Sequence, residues 1–518
     1  MSDSIAGFPA QVLSSTKGYK PYLLAFISGM IYPTGFAPLG IWPLTLVSIL
    51  FFYSLLKYSP AKRAGLGFCY GFGQFGIGTS WVYVSIHQFG GAAVALAIII
   101  TLLFTAYLSL YPALLGLLFN WYQEKASSPK LGLMFIFLWL LIDGLRGWVF
   151  SGFPWLYAGY SGIDTVLASW APLIGIHGLT LIIVGTAILI EKMFYNRHLL
   201  LKDFFSRQWQ LPGLVLLLVW GSSLGLAEFH WSKVDGEPVT ATLIQPDISQ
   251  DLKWEANHLR NTLTTLDEMT LKARGQLVVW PESALPIFED RIRPYLTRIA
   301  RRSALKGQSI VTGVPVRDSH SKKYYSAAMV LNADNMATAE KYYKRRLVPF
   351  GEYVPLEDQL RGLIEFFNLP MSGFSLGPSK QNTLHVDGLS MGIAICYEIV
   401  YPRLVYDQSR QANMILTISN DAWFGNSWGP QQHLEMARMR ALETALPVLR
   451  GTNNGITALI NYKGKVVSQL PQNTQQALEI SFQPRRSHSP IQYYSFWWVA
   501  IISLAIVIGL QFLSNRQK

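Results

Sequence analysis

The chain has 518 residues, more than one ordinary domain, and half of them are hydrophobic while only 14% are charged. A soluble domain carries about 25% charged residues, so a single water-soluble globule is excluded. The net charge of +12 does not mark a nucleic-acid binder, because the cations form no groove-tracking stripe with interleaved aromatics.

Apolar runs come first. Seven occupy roughly 21–35, 41–56, 64–86, 90–122, 131–150, 165–190 and 211–229, and an eighth occupies 494–512. A membrane helix needs about 20 such residues; the fourth run is long enough to tilt. Lys57, Lys62 and Arg63, then Lys125 and Lys130, then Lys192, Arg197, Lys202 and Arg207 fall in alternate connections, with Lys17, Lys20, Arg516 and Lys518 at the ends. Cations stay on the cytoplasmic side, so both termini are expected there and the stretch between runs seven and eight is expected outside. The expected division is 1–229 with seven transmembrane helices, 230–490 as a soluble domain, and 491–518 with the eighth helix and a tail.

Asp143, Arg146 and His177 lie within or beside these runs, where ionisable groups are costly. The spacing of Asp143 and Arg146 predicts a pair one helical turn apart near the outer surface. The stretch 152–157 reads as an interfacial aromatic loop, or with Trp155 as one wall of a lipid cleft. Glycines 65, 67, 71, 73, 76 and 78 predict close helix packing, or a transport site in the third run.

From 238 onward β-like and helical runs alternate, which predicts layered sheets covered by helices. Strands are expected at 239–245, 276–280, 309–313, 325–332, 338–342, 391–396, 414–419, 456–461 and 465–469, and helices at 257–273, 291–306, 402–411 and 433–444. Cys396 ends a buried-strand pattern that follows the turn signal Asp387-Gly388, where α/β layers place reacting groups. Singly, Cys396 could be a packing thiol, Glu282 a helix cap and Lys344 part of a solvated run with Lys341, Arg345 and Arg346. Together they supply a reaction. A thiol of pKa about 8.5 needs a base or a cation beside it; Glu provides the first, and Lys provides the second and an oxyanion partner. No GxSxG motif competes. Cys69 and Cys396 sit in unlike contexts, so no disulfide is expected, and no CxxC or His/Cys cluster indicates a metal.

The Glu–Lys–Cys order stands in Trp280-Pro281-Glu282-Ser283, in Lys344-Arg345-Arg346-Leu347-Val348-Pro349-Phe350-Gly351-Glu352 and in Cys396-Tyr397-Glu398. It resembles the nitrilase (carbon–nitrogen hydrolase) superfamily, and with eight spans around it the chain is similar to the membrane branch, the bacterial apolipoprotein N-acyltransferases. The resemblance implies an αββα sandwich with Glu282 as general base, Lys344 as electrophilic stabiliser and Cys396 as nucleophile, supported by Glu352 and Glu398. It further implies acyl transfer from a phospholipid, through a Cys thioester, to the α-amine of a diacylated apolipoprotein. That reaction takes place on the outer face of the inner membrane and needs no metal or other cofactor. Soluble nitrilases often carry Asp and a later Arg after the Cys, where Glu398 and Ile399-Val400-Tyr401 stand here. The apolar loop 366–374 with Phe374, the aromatic loop 420–428 with Trp423 and Phe424, and Trp254 by resemblance, are candidate lids over an acyl chain. A membrane-tethered amidase that uses water as acceptor, or a non-enzymatic scaffold or transporter, remains the alternative.

Overall fold

In the computed structural model the described residues are 13, 15–59, 61–122, 129–195, 207–250, 256–318, 321–349, 351–353, 373–494 and 496–515. They form two compact units: 1–83, 94–229 and 494–518 make one, and 84–93 with 230–493 make the other.

The first unit is helical: α1 (Lys20–Ile31), α2 (Trp42–Tyr58), α3 (Arg63–Gly78), α4 (Val94–Trp121), α5 (Pro129–Arg146), α6 (Ala171–Tyr195), α7 (Arg207–Ala227) and the C-terminal Phe496–Asn515. Among the described residues three helices are long and apolar enough to cross a membrane: Val94–Trp121, Val166–Phe194 and Gln210–Ala227. Trp42–Tyr58 and Trp497–Leu513 are apolar but shorter.

The run 64–86 is not one helix. α3 stops at Gly78, and a helical turn at Trp81–Val84 leads into a wide π turn at Ser85–Phe89. At the break Thr79 Oγ1 donates to Phe75 O at 2.7 Å and Ser80 Oγ to Ile77 O at 3.0 Å, side-chain bonds of the kind that bend a helix. The glycines of α3 serve packing. A Cβ on Gly67 would meet Pro112 O of α4 at 2.1 Å, and one on Gly73 would meet Phe26 O of α1 at 2.2 Å.

Asp143 and Arg146 do pair, at 2.7 Å, but deep in the unit: Arg146 is 2% exposed. Arg146 Nη1 also donates to the carbonyls of Phe153 and Trp155, and Tyr157 Oη donates to Asp143 O at 3.1 Å. The chain after α5 therefore folds back onto its own helix end. Trp155 is fully buried, its ring 5.0 Å from that of Trp81, so 152–157 is a packed corner instead of the interfacial loop its composition suggests. The His177 ring lies 5.1 Å from that of Tyr157 in the same corner.

The second unit opens with β1 (Ser232–Val234), β2 (Val239–Gln245), α8 (Ala256–Lys272), β3 (Leu277–Val279), α9 (Glu289–Ala304), β4 (Ser309–Arg317), β5 (Tyr324–Val330) and β6 (Lys341–Tyr343). It continues with β7 (Leu384–Val386), β8 (Leu389–Ile395), α10 (Pro402–Ser409), β9 (Met414–Ser419), α11 (Gly429–Thr444), β10 (Val448–Thr452) and β11 (Ala458–Ile460). β12 (Val466–Gln469), β13 (Gln476–Phe482) and β14 (Arg485–Ser487) close it.

One sheet runs β13-β2-β3-β4-β5-β6, the other β12-β11-β10-β9-β8-β7, and β1 pairs with β14 as a separate ribbon. Parallel pairing is central in both, β2-β3-β4 and β8-β9-β10, because helices α8 to α11 supply the crossovers. Alternate side chains then serve two cores. Leu243, Val279 and Val311 face Ile393, Leu416 and Leu449 between the sheets, while Ile244, Val278 and Ile310 face Leu266 of α8 and Leu296 and Ile299 of α9. α10 and α11 pack on the second sheet. The layers are helices, sheet, sheet, helices. β10 and β13 are strands that composition did not predict; β10 carries Arg450 and Gly451, both buried.

Two expected outcomes follow from this packing. Arg146→Met leaves the Asp143 carboxylate buried without its cation and should lower stability by about 3–5 kcal/mol. Asp143→Leu/Arg146→Met should recover part of that loss, as thermal unfolding of the detergent-solubilised protein in a double-mutant cycle would register. Gly313→Ala would press a Cβ to 2.6 Å from Glu282 Cα and from Pro281 O. Backbone cannot yield cheaply there, so a loss of about 1–3 kcal/mol is expected in the same measurement.

Candidate active site

The parallel strands end on one side, and the chain leaves each with a polar group. After β3, Trp280 N still donates to Val311 O at 2.8 Å; the backbone then turns through Pro281, and Ser283 takes φ +47°. This turn presents Glu282, which is 4% exposed. Lys344 follows β6, its N–H donating to Ser326 O and its carbonyl accepting from Gly377 N, both at 2.8 Å. Cys396 follows β8 with φ +51°, a left-handed backbone uncommon outside glycine.

Lys344 joins the set. Its Nζ donates to Glu282 Oε1 at 2.8 Å and to Glu352 Oε1 at 2.7 Å. Glu282 Oε2 accepts from Asn420 N at 3.0 Å, and Glu352 Oε2 from Val348 N at 2.9 Å, so each carboxylate is aimed from both ends. The Cys396 thiol is half-buried and feels the charges of both Glu282 and Lys344.

Charge follows from these contacts. Burial opposes the Lys344 ammonium, yet the Glu282 and Glu352 carboxylates hold its pKa well above the ordinary lysine value. Burial, with Glu282 adding and Lys344 opposing, pushes the Cys396 thiol up, so the resting sulfur is protonated and needs a base to become a nucleophile. Burial also raises Glu352, against Lys344.

Glu398 acts at one remove. Its Oε1 accepts from Arg345 N at 2.6 Å, Arg346 N at 3.2 Å and Tyr342 Oη at 3.2 Å, and its Oε2 accepts from Ile395 N at 2.8 Å. One carboxyl thus ties the turn that carries Lys344, in the first sheet, to the strand end that carries Cys396, in the second. Burial pushes it up to about 7, against the backbone N–H groups it accepts.

The structure thus brings Glu282, Lys344, Glu352 and Cys396 together, with Glu398 behind them. The lid candidates differ among themselves. Trp254 and residues 366–372 lie outside the described residues. Phe374 is half-buried and its N–H donates to Glu352 O at 3.0 Å, directly behind the site. Trp423 is half-buried, its carbonyl accepting from Ser85 Oγ at 2.7 Å. Phe424 points inward, buried edge-on to His433 with centroids 5.9 Å apart, and Trp155 belongs to the other unit. Composition alone missed Asn420, Ser419, Asp421, His433 and Arg450. The signal for the first three was their position at the end of β9; a lone His in a helix and an Arg in a strand carried none.

Residues 28–189 match the apolipoprotein N-acyltransferase N-terminal domain, and residues 240–486 match the carbon–nitrogen hydrolase domain. An apolipoprotein N-acyltransferase of Pseudomonas syringae pv. tomato is 39% identical over 502 residues, covering 96% of this chain and 98% of that protein. One of Pseudomonas aeruginosa is 41% identical over 510 residues, covering 97% of each. Among solved structures, Saccharomyces cerevisiae Nit3, of branch 10 of the nitrilase superfamily, matches 49% of this chain and 93% of its own at 19% identity and a TM-score of 0.37. With near-complete coverage at this identity and both halves matched, the chain belongs to the apolipoprotein N-acyltransferase family and carries that family's carbon–nitrogen hydrolase domain.

Proposed function

We propose that this chain transfers an acyl chain from a phospholipid to the α-amino group of the N-terminal, diacylglyceryl-bearing Cys of an apolipoprotein. The observation that carries the reading is Lys344 Nζ held between Glu282 Oε1 and Glu352 Oε1, with its charge acting on the Cys396 thiol. Glu282 takes the thiol proton as the sulfur attacks the ester carbonyl, at sn-1 of a lipid such as phosphatidylethanolamine. The oxyanion forms beside Lys344, where a fixed ammonium in a water-poor site stabilises it most. Collapse breaks the ester C–O bond, Glu282 returns the proton to the leaving alkoxide, and lysophospholipid departs from the Cys396 thioester.

The acceptor is an α-amine of pKa about 7.7–8.0, a far better nucleophile near neutrality than a Lys side chain. It attacks the thioester, gives a proton to Glu282 and leaves as the amide; the Cys396 sulfur recovers its proton. No metal or other cofactor takes part. The charge distribution of the connections supports eight membrane-crossing helices in the first unit, both termini on the cytoplasmic side and the second unit in the periplasm. Of the lid candidates, Phe374 and Trp423 border the site's loops and are the two proposed to cover the acyl chain.

Intact-protein mass spectrometry after incubation with phospholipid should find an acyl group on Cys396, removed by a diacylated lipopeptide as the acylated peptide appears. Cys396→Ala should give neither product; full transfer by that variant, or an adduct on another residue, sinks the reading. Glu282→Gln should slow adduct formation by about 10²–10⁴-fold, the usual worth of a positioned base. Trp423→Ala and Phe374→Ala should shift the outcome from transfer to released fatty acid. Unchanged transfer and unchanged hydrolysis in both would remove the lid role.

A further inference from the structure

Beneath the site lies a buried polar cluster that the reaction above does not use. Asp421, His433 and Arg450 are each 2% exposed or less. Arg450 Nη2 pairs with Asp421 Oδ2 and lies 3.1 Å from His433 Nδ1, which is also 3.1 Å from Asp421 Oδ1. Ser419 Oγ donates to Asp421 Oδ1 at 2.8 Å, and Arg450 Nε to Ile456 O at 3.2 Å. The ring's far nitrogen, Nε2, is 3.2 Å from the carbonyl oxygen of Cys396.

A carbonyl only accepts, so Nε2 carries a proton. On the other side of the ring Nδ1 lies 3.1 Å from both Asp421 Oδ1 and Arg450 Nη2, so these two residues seat the ring. Burial, and after it the charge of Arg450, lower the His433 pKa, with the Asp421 charge opposing them. Asp421 fixes Arg450 in turn. Burial would raise the Asp421 carboxyl, but the Arg450 guanidinium holds it below the ordinary carboxylate range, so it stays an anion. Asp421, Arg450 and His433 thus form one set of contacts that ends on the backbone of Cys396.

That backbone needs control. A non-glycine residue at φ +51° persists only where its surroundings fix it. Glu398 Oε2 fixes the Ala394–Ile395 peptide, one residue ahead of Cys396, through Ile395 N at 2.8 Å. His433 fixes the peptide after Cys396. A buried anion, cation and imidazole are an expensive way to fill a core that apolar side chains could fill, and this cluster reaches the site at Cys396: the ring at its carbonyl, the Asp421 charge and the Ser419 hydroxyl at its thiol.

We propose that His433 is a positioning residue for the nucleophile: its Nε2–H, in the ring orientation that Asp421 and Arg450 fix, holds the Cys396 carbonyl so that the sulfur is presented to the ester. The inference rests on the reading of Cys396 as nucleophile. It is tested with two amides in the full-length protein, since a Gln amide nitrogen reaches the Nε2 position whereas an Asn amide nitrogen reaches only the Nδ1 position. Single-turnover formation of acyl-Cys396 from phospholipid is followed by mass spectrometry, alongside the KM for phospholipid and thermal unfolding.

His433→Asn should slow acylation by about tenfold, equivalent to 1.36 kcal/mol of barrier, with KM unchanged because His433 is buried and acts through the Cys396 backbone. His433→Gln should restore most of the rate. A purely structural role would track the unfolding midpoint and would not distinguish the two amides. Wild-type acylation by folded His433→Asn overturns the proposal, as does folded His433→Gln that is as slow as His433→Asn. Should His433→Asn yield no folded protein, His433→Gln decides alone: a rate near wild type supports the positioning bond, and a tenfold loss at an unchanged unfolding midpoint overturns it. Absence of any adduct on Cys396 in the unsubstituted protein is a different result and overturns the nucleophile assignment itself.

Discussion

A single ammonium, 1% exposed, sets the chemistry of the second unit. Removing Lys344 from water is tolerable only because two carboxylates meet it at 2.8 and 2.7 Å; a lone buried charge would neutralise or unfold its surroundings. The three groups come from different places: a turn after β3, the end of β6 and the turn that follows it. None of them can be satisfied until the first sheet has formed. The same arrangement sets the resting charges, with lysine protonated and the thiol neutral.

Cys396 belongs to the second sheet, and the site therefore depends on how the two sheets meet. The apolar layer between them, with Leu243 and Val279 against Ile393 and Leu416, brings them face to face but is indifferent to small slides. Glu398 removes that freedom. It collects backbone N–H groups from the Lys344 turn and from the end of β8 on one carboxyl, so a slide of either sheet would leave a buried acceptor unpaired. Hydrophobic burial supplies the attraction between the layers, and this polar contact sets their register at the site.

Much of this was legible because the chemistry sits where patterns end. Strands 239–245 and 414–419 were readable to the residue from their apolar runs, and Glu282 and Cys396 stand just past such runs. What was not legible depends on contacts remote in sequence. Arg450 and Gly451 argue against a buried strand until Asp421 and the neighbouring strands are present to satisfy them. Two further features are local yet not compositional: hydroxyls fold back on their own helix at the break after Gly78, and Arg146 reaches nine residues along the chain to the carbonyl of buried Trp155. Aromatic composition could not reveal that Phe424 faces inward and Trp423 does not, since both rings are equally apolar.

The charge set of the site is indifferent to the final acceptor: a base, an ammonium and a thiol would serve water as well as an amine. Selection has to come from concentration and access. An acceptor anchored by its own acyl chains is confined to the membrane surface and, once docked, meets the thioester as an intramolecular partner would; such proximity is worth effective molarities of about 10⁵–10⁸ M in well-oriented cases. Water gains nothing comparable and loses access wherever apolar side chains cover the sulfur. A chain that is half hydrophobic, with a thiol only partly exposed, suits that solution.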